Sequence, residues 1–396
     1  MIQISPETQL FIREHSSDDV PTLALQAKKY PDINMPTAIT QIAGRQVAAE
    51  KIPSWREIEE IWYPKHLSLE QCSSEITARY KARLFQGDSL TDLTGGFGID
   101  CSFLATGFKS ATYVERQEEL CEIAAHNFPI LNLNHINVRN EDGVAYLQTM
   151  SPVDCIFLDP ARRNEYGGKT VAISDCEPNV AELEDLLLSK ANRVMIKLSP
   201  MLDLSLALKE LKHTQEIHIL SVNNECKELL ILLRQTSPAE IAIHCVNLLT
   251  KGTQEEQHLV FTREQEQRSQ CTYTDSLGNY LYEPNASLLK AGAFRSIAAA
   301  YPVRKLHPNS HLYISDSFIE NFPGRIFRIV NQCSFNKKEV KENLADLKKA
   351  NVTVRNFPAT VAELRKRLHL TEGGDTYLFA STLNNGQKVI IRCEKV

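Results

Sequence analysis

Asp92-Leu93-Thr94-Gly95-Gly96-Phe97-Gly98-Ile99-Asp100 is the stretch on which the fold turns. It continues the short run S-L-T (89–91), and Ile99, Phe103 and Leu104 share one face of the helix that follows. Glycines at 95, 96 and 98 let a backbone turn sharply at a strand's end and approach a ligand closely. The spacing is not the G-x-G-x-x-G of dinucleotide enzymes, and three glycines after a strand also fit a plain tight turn. The flanking sequence decides between the two. A-T-Y-V-E-R (111–116) predicts a second strand before a helix around 117–127, and I-N-V-R-N-E-D (136–142) predicts a third. V-D-C-I-F-L-D-P (153–160) and R-V-M-I-K-L-S-P (193–200) are continuous apolar runs ended by proline, which suit parallel strands covered on both faces. E-I-H-I-L-S-V (216–222) and E-L-L-I-L-L-R (228–234), joined by five residues that include Asn223-Asn224, predict an antiparallel hairpin closing the sheet. Strand–helix alternation ended by a hairpin is a doubly wound α/β domain with a reversed last strand.

On either side the pattern changes. The first 65 residues read as short helices, with Leu23, Ala24 and Ala27 and then Ile39, Ile42, Ala43 and Val47 at helical spacing between prolines 31, 36, 53 and 64. Beyond Ala239 come two or three strand-like pieces, then an α+β stretch from Leu281 to Asn321, then a boundary at Pro323-Gly324. The last 70 residues predict strand 325–330, helix 337–350, strand 352–356, helix 360–368 and strands 376–381 and 388–393. The expected domains are therefore 1–65, 66–240, 241–324 and 325–396.

A chain of 396 residues, 43% apolar and 23% charged, can build two or three real cores. Mean hydropathy is -0.26, and no apolar run approaches the roughly 20 residues of a membrane-spanning helix. Met1-Ile2-Gln3-Ile4-Ser5-Pro6 has neither a basic start nor an apolar stretch, so no signal peptide is expected. The ten cysteines form no C-x-x-C pair, and Cys155 inside V-D-C-I-F-L reads as a buried free thiol of a reducing cytosol. A cytoplasmic protein is expected. Net charge is -5, but residues 281–396 carry 18 Lys+Arg against 10 Asp+Glu and the rest 26 against 39. An acidic body with a basic C-terminal third fits a catalytic unit carrying an anion-binding module, or merely an asymmetry of solvated helix faces.

The acids sharpen the picture. Glu115 ends the second strand, 19 residues after Gly96; Asp142 ends the third and Asp159 the fourth, before Pro160. Ligands of open α/β sheets lie across the carboxyl ends of the strands, so four strands deliver glycines and three acids to one edge. Any one acid could instead form a turn or cap a helix.

D-L-T-G-G-F-G-I-D, then E-R at 115–116, E-D at 141–142 and L-D-P-A-R-R at 158–163 resemble the motif series of class I S-adenosylmethionine-dependent methyltransferases. Q-C-S-S-E-I-T-A-R-Y-K (71–81) and V-R-N-F-P-A-T-V-A-E-L-R-K-R-L-H-L-T-E-G-G-D-T-Y-L-F-A (354–380) are similar to bacterial methyltransferases with a THUMP-like C-terminal domain. The resemblance runs from I-T-Q-I-A-G-R-Q-V-A-A-E-K-I-P-S-W (39–55) to the end, and is more specific for fold and cofactor than for substrate. It implies a Rossmann-like class I methyltransferase sheet with an antiparallel last strand, an N-terminal helical region and small C-terminal α+β domains. It also implies S-adenosylmethionine as cofactor, with Asp92, Thr94, Gly95, Gly96 and Gly98 lining its methionine and ribose parts. Glu115 would hold the ribose hydroxyls and Asp142 the adenine amino group. Asp159-Pro160 would stand where amino-methylating enzymes carry D-P-P-Y or N-P-P-Y, orienting the acceptor amine.

The chain departs from that pattern at Ala161 and Arg162, where a second proline and a base-stacking aromatic would stand. Arg162, Arg163 and Lys169 could grip substrate phosphates beside Tyr166, or form an ordinary exposed loop. No cysteine lies in the turns after the fourth and fifth strands, which disfavours attack on a pyrimidine carbon; Cys226 in the hairpin is the nearest. His218, His244 and His258 show no partners at ligand spacing, so no metal is expected. Lys337, Lys338, Lys341, Lys348 and Lys349 mostly share one expected helix, and Arg365, Lys366 and Arg367 cap another; the THUMP-like resemblance implies a phosphate-reading surface for RNA, and a solvated helix face is the alternative. The expectation is a methyltransferase acting on a base nitrogen of structured RNA, tRNA or rRNA, with guanine N2 the foremost acceptor. The alternatives are an enzyme acting on a small molecule or protein, and a non-catalytic RNA-binding protein that keeps the fold.

Overall fold

The computed structural model describes residues 4–162, 172–236, 238–252 and 254–396. The chain divides into two units, Met1–Gln215 with Leu230–Ser237 and Glu216–Leu229 with Pro238–Val396.

In the first unit, α1 (Pro6–Glu14), α2 (Val20–Leu25) and α3 (Met35–Lys51) each begin at a side chain that accepts a backbone N–H. These caps are Ser5, Asp19 and Asn34, and each is followed by a first-turn proline whose missing N–H costs the helix nothing. Phe11, Ile12, Leu23, Met35, Ala38 and Ile42 bury one face. Farther along α3, Ala48 and Ile52 join Trp55, Tyr63, Phe97, Ile99 and Ile123 in a second core, so the N-terminal helices and the glycine-loop helix are packed together. α4 (His66–Gln71) and α5 (Glu75–Leu84) lead into β1 (Gly87–Asp92).

From there α6 (Ile99–Leu104), β2 (Phe108–Glu115), α7 (Glu118–Ile130), β3 (Ile136–Asn140), α8 (Gly143–Thr149) and β4 (Val153–Leu158) alternate. Next come β5 (Ala161–Arg162), which pairs with β6 (Cys176–Glu177), and then α9 (Val180–Lys190), β7 (Ala191–Leu198) and α10 (Leu204–Glu210). The strands stand parallel in the order β7-β4-β1-β2-β3. The apolar runs of β4 and β7 occupy the middle, where Cys155, Ile156, Leu158, Val194, Met195 and Ile196 are all buried.

β8 (Thr214–Val222) and β9 (Glu225–Leu233) form the hairpin, and residues 230–233 lie beside β7. Its connection is two residues long, not the five expected. Asn223 and Asn224 adopt φ of 48° and 70°, the left-handed pair whose twist matches the strands it joins. Glu225, Cys226 and Lys227 are polar enough to read as loop, yet they extend the strand.

In the second unit, β10 (Ala242–Leu248) runs parallel to β8 and antiparallel to β11 (Glu256–Thr262). Then come α11 (Arg263–Arg268), β12 (Tyr280–Pro284), α12 (Ala286–Ala291), α13 (Phe294–Ala300), β13 (Arg304–Lys305) and β14 (Tyr313–Ser315). β15 (Gly324–Ser334), α14 (Lys337–Leu344), β16 (Asn351–Arg355), α15 (Val361–Leu368), β17 (Thr376–Thr382) and β18 (Lys388–Lys395) complete the chain. A seven-stranded sheet, β13-β14-β12-β15-β18-β17-β16, runs through both sides of Pro323-Gly324. Alternation along β17 and β18 serves two cores: Phe379, Val389 and Ile391 meet Leu281, Ile314 and Phe327, while Leu378, Ala380 and Ile390 meet Leu344 and Leu364. Buried Glu283 of β12 pairs with Arg325 of β15 and Arg355 of β16.

Helix α14 stops at Leu344 instead of reaching 350. The Ala350 N–H donates to the Thr371 carbonyl and the Thr371 N–H to the Lys348 carbonyl, and this extended pairing overrides helix propensity. Lys348 and Lys349 therefore lie off the helix.

Candidate active site

The carboxyl ends of β1, β2 and β4 meet at the glycine turn. Asp92 closes β1 with 1% exposure, and its Oδ1 accepts the Thr94 N–H at 3.0 Å. Gly95 backs onto the ring of Tyr113, where an added Cβ would stand 2.2 Å from a ring carbon, so no larger residue fits. Gly96 has φ of +55° and faces open space, its nearest neighbour for an added Cβ being a carbonyl at 3.8 Å. The space beside the turn is therefore open at Gly96. The Glu115 carboxylate, at the end of β2, accepts the Gly96 N–H on Oε2 and the Gln117 N–H on Oε1, both at 2.9 Å. The Asp159 N–H donates to Thr94 Oγ1 at 2.6 Å and ties the end of β4 to the same turn.

Asp142 lies two residues past β3. Its Oδ1 accepts the Val144 and Ala145 N–H groups at 3.0 Å and so N-caps α8. It comes close to the turn, since Gly143 packs on the Leu93 carbonyl.

Behind Asp159 lies a cluster the sequence reading missed. Lys197 of β7 places Nζ 2.6 Å from Asp159 Oδ2, 3.3 Å from Asp100 Oδ2 and 3.0 Å from Ser73 Oγ. Lys81 of α5, fully buried, places Nζ 2.8 Å from Asp100 Oδ1 and 2.9 Å from Ser73 Oγ. Ser73 in turn donates to Asp100 Oδ2 at 2.7 Å. Buried charges survive only when paired and hydrogen-bonded, and here two ammonium groups and two carboxylates satisfy one another. A signal was present: Lys197 is the one ammonium inside the buried part of R-V-M-I-K-L, and such a charge must find a partner.

The cluster sets its members' acidity differently. Burial opposes the charge on Asp100, but Lys81 and Lys197 overcome it and hold its carboxyl well below the usual range. Burial pushes Asp159 upward, with Lys197 pulling against it and Asp100 adding to it. Among the described residues no cation pairs with Asp92: burial pushes it up to about 8 against the Thr94 N–H, with Asp100, Asp159 and Glu115 adding repulsion.

Arg163, Tyr166 and Lys169 lie outside the described residues, as does the side chain of Arg162. Cys226 sits on β9, and burial pushes its thiol up to about 11, far from a nucleophilic thiolate. Lys337, Lys338, Lys341, Lys348, Lys349, Lys366 and Arg367 are exposed; Arg367 stacks over Phe335 at 4.0 Å, and Arg365 pairs with Glu372 at 3.1 Å. Among the described residues, no helix is long and apolar enough to cross a membrane.

Two family models match the second unit, a ferredoxin-like domain over residues 280–323 and a THUMP domain-like one over residues 324–395. No curated protein matches. Among solved structures, a provisionally named methyltransferase from Porphyromonas gingivalis W83 is 34% identical with a TM-score of 0.87, over 100% of both chains. An rRNA methylase from Streptococcus thermophilus (13% identity, TM-score 0.31) covers 40% of this chain and 94% of its own. A Streptococcus mutans protein solved with SAH, also provisionally named a methyltransferase (15%, 0.30), covers 40% and 96%. Likenesses that weak carry no argument; the full-length match does. With its glycine turn, its strand-end acids and that match over the whole length, the chain belongs to the family of the Porphyromonas protein, class I methyltransferases with a C-terminal THUMP-like domain.

Proposed function

We propose that this protein transfers a methyl group from S-adenosylmethionine to a base nitrogen of structured RNA, tRNA or rRNA. The observation that carries the reading is Asp159, a part-exposed carboxylate anchored by Lys197 on one side and tied through its backbone to the glycine turn on the other. The cofactor supplies a sulfonium-activated methyl, so the protein's work is mostly positioning. The open cradle at Gly96, between Asp92 and Glu115, suits a cationic ligand with vicinal hydroxyls. Glu115 would hold the ribose hydroxyls, Asp142 the adenine amino group, and Asp92, Thr94, Gly95 and Gly98 the remainder.

Asp159 and the Pro160 turn accept N–H bonds from the acceptor amine and aim its lone pair at the methyl. Lys197 holds Asp159 Oδ2, and Oδ1 is the oxygen we assign to that amine. A carboxyl with raised proton affinity also suits the proton that the methylated nitrogen sheds. Guanine N2 is the acceptor we place first. The exposed lysines and Arg367 of residues 337–367 would contact phosphates. All ten cysteines are free thiols, which supports a reducing, cytoplasmic setting.

Radiolabelled S-adenosylmethionine and total RNA from a strain lacking the gene, followed by nucleoside analysis, test this directly. The wild type should label a single guanosine derivative and Asp159→Ala should not. Measurable cofactor binding with no label in RNA would replace RNA by a small-molecule or protein acceptor. No cofactor binding would leave an RNA-binding protein that only keeps the fold.

A further inference from the structure

β8, β10 and β11 bring three histidines and a glutamate to one place. The parallel register sets His244 of β10 directly beside His218 of β8, and Glu216, two residues before His218, shares its face. Glu216 Oε2 lies 3.3 Å from His218 Nε2 and 3.8 Å from His244 Nε2. One ligand atom from each of the three lies within 4.8 Å of the others. His258 of β11 places Nε2 3.3 Å from the other ring nitrogen of His244, Nδ1.

We propose that Glu216, His218 and His244 form a binding site for a divalent transition-metal ion of the zinc class, with His258 as the residue that orients His244. Ligand atoms about 2.1 Å from a tetrahedral zinc stand about 3.4 Å apart, so the carboxylate already has the required spacing to His218. His244 Nε2 stands 3.8 Å from the same oxygen, and its ring must turn out of the stack on His218 to bring its lone pair onto the shared ion. Two imidazoles and a carboxylate are a donor set such ions take, and three protein ligands leave a fourth position for water. His258 plays the part that outer partners of metal-binding histidines play. When His244 donates its Nδ1–H to His258 Nε2, the tautomer that a metal at Nε2 requires, Nε2 presents its lone pair toward Glu216. The histidine rings stack, with centroids 4.3 Å apart for 218 and 244 and 5.4 Å for 244 and 258. In the sequence these residues are 26 and 14 apart, which hid the spacing that strand register creates.

The test uses the full chain, stripped with chelator and dialysed. Zn2+ is titrated in competition with a chromophoric chelator, and Co2+ is then used for its visible spectrum. The expected result is one tight equivalent, with cobalt d–d bands and no thiolate charge-transfer band. His244→Ala should abolish it, Glu216→Gln should weaken it strongly, and His258→Ala, at an exposed position, should weaken it about 10–100-fold. Thermal melts show whether each variant folds; if His244→Ala does not, His258→Ala and Glu216→Gln decide. No competition with the chelator, a thiolate band, or variants that bind as the wild type does would each overturn the site.

Discussion

Replacing Lys81 with methionine isolates the buried cluster behind Asp159. Methionine keeps roughly the length of the lysine stem without its ammonium, so packing changes little while Asp100 loses its nearer cation, 2.8 Å away. Breaking a fully buried ion pair by removing one partner costs about 3–5 kcal/mol. Asp100 keeps Lys197 at 3.3 Å and the Ser73 hydroxyl at 2.7 Å, so the low end, about 3 kcal/mol, is expected. For a unit of about 220 residues that lowers Tm by about 6–12 °C. The two tryptophans of the chain, Trp55 and Trp62, both belong to the first unit, so selectively excited tryptophan fluorescence follows that unit alone. The pH dependence adds a second check. Asp100 is held below its ordinary value, so its pairing stabilises the fold at neutral pH and is lost as pH falls through that low value. In Lys81→Met the carboxyl protonates at higher pH, which relieves the unpaired charge. The gap from wild type should therefore narrow as pH falls from 7 toward 4. Lys81→Met/Asp100→Asn should recover part of the loss at pH 7. A loss under about 1 kcal/mol, a gap that ignores pH, or no recovery in the double variant would refute a mutually neutralised cluster.

The raised value of Asp92 has the opposite sign: its contribution to stability is present below the ordinary value of 3.8 and is lost as pH rises through about 8. Asp92→Asn should therefore gain on the wild type from pH 5 to 9 in tryptophan-monitored melts, and parallel profiles would count against the assignment. Gly95→Ala drives a methyl into the Tyr113 ring, so about 1–3 kcal/mol of stability and most S-adenosylmethionine affinity should go, read by melting and calorimetry. Glu283→Ala strips Arg325 and Arg355 of their shared carboxylate. Because both arginines are about a third exposed, the cost should be about 2 kcal/mol rather than the full buried-pair value, measured by near-ultraviolet tyrosine dichroism; no change would show the pair to be neutral.

Much of this molecule is decided within a few residues along the chain. The caps Ser5, Asp19 and Asn34, the turn at Gly95-Gly96, and the apolar runs of β4 and β7 each follow from neighbours within one or two turns. Local sterics and hydrogen bonds need no knowledge of the rest of the fold. The family was legible for the same reason, since its motifs are short and fall at strand ends. What escaped depends on pairing between distant segments. Helix α14 is cut short at Leu344 by bonds from 348 and 350 to 371. The hairpin loop shrinks to two residues because Glu225–Lys227 pair as strand although their side chains are polar. Ser73 and Lys197 meet across 124 residues. His218 and His244 become neighbours only through strand register, because a sheet brings together residues that the chain keeps apart. Sequence alone thus determined where most of the helices and strands lie and which of the turns that follow the strands carry acids. Tertiary structure alone decided which charges neutralise one another and which histidines meet, because those energies exist only once distant backbones have been brought within a few ångströms.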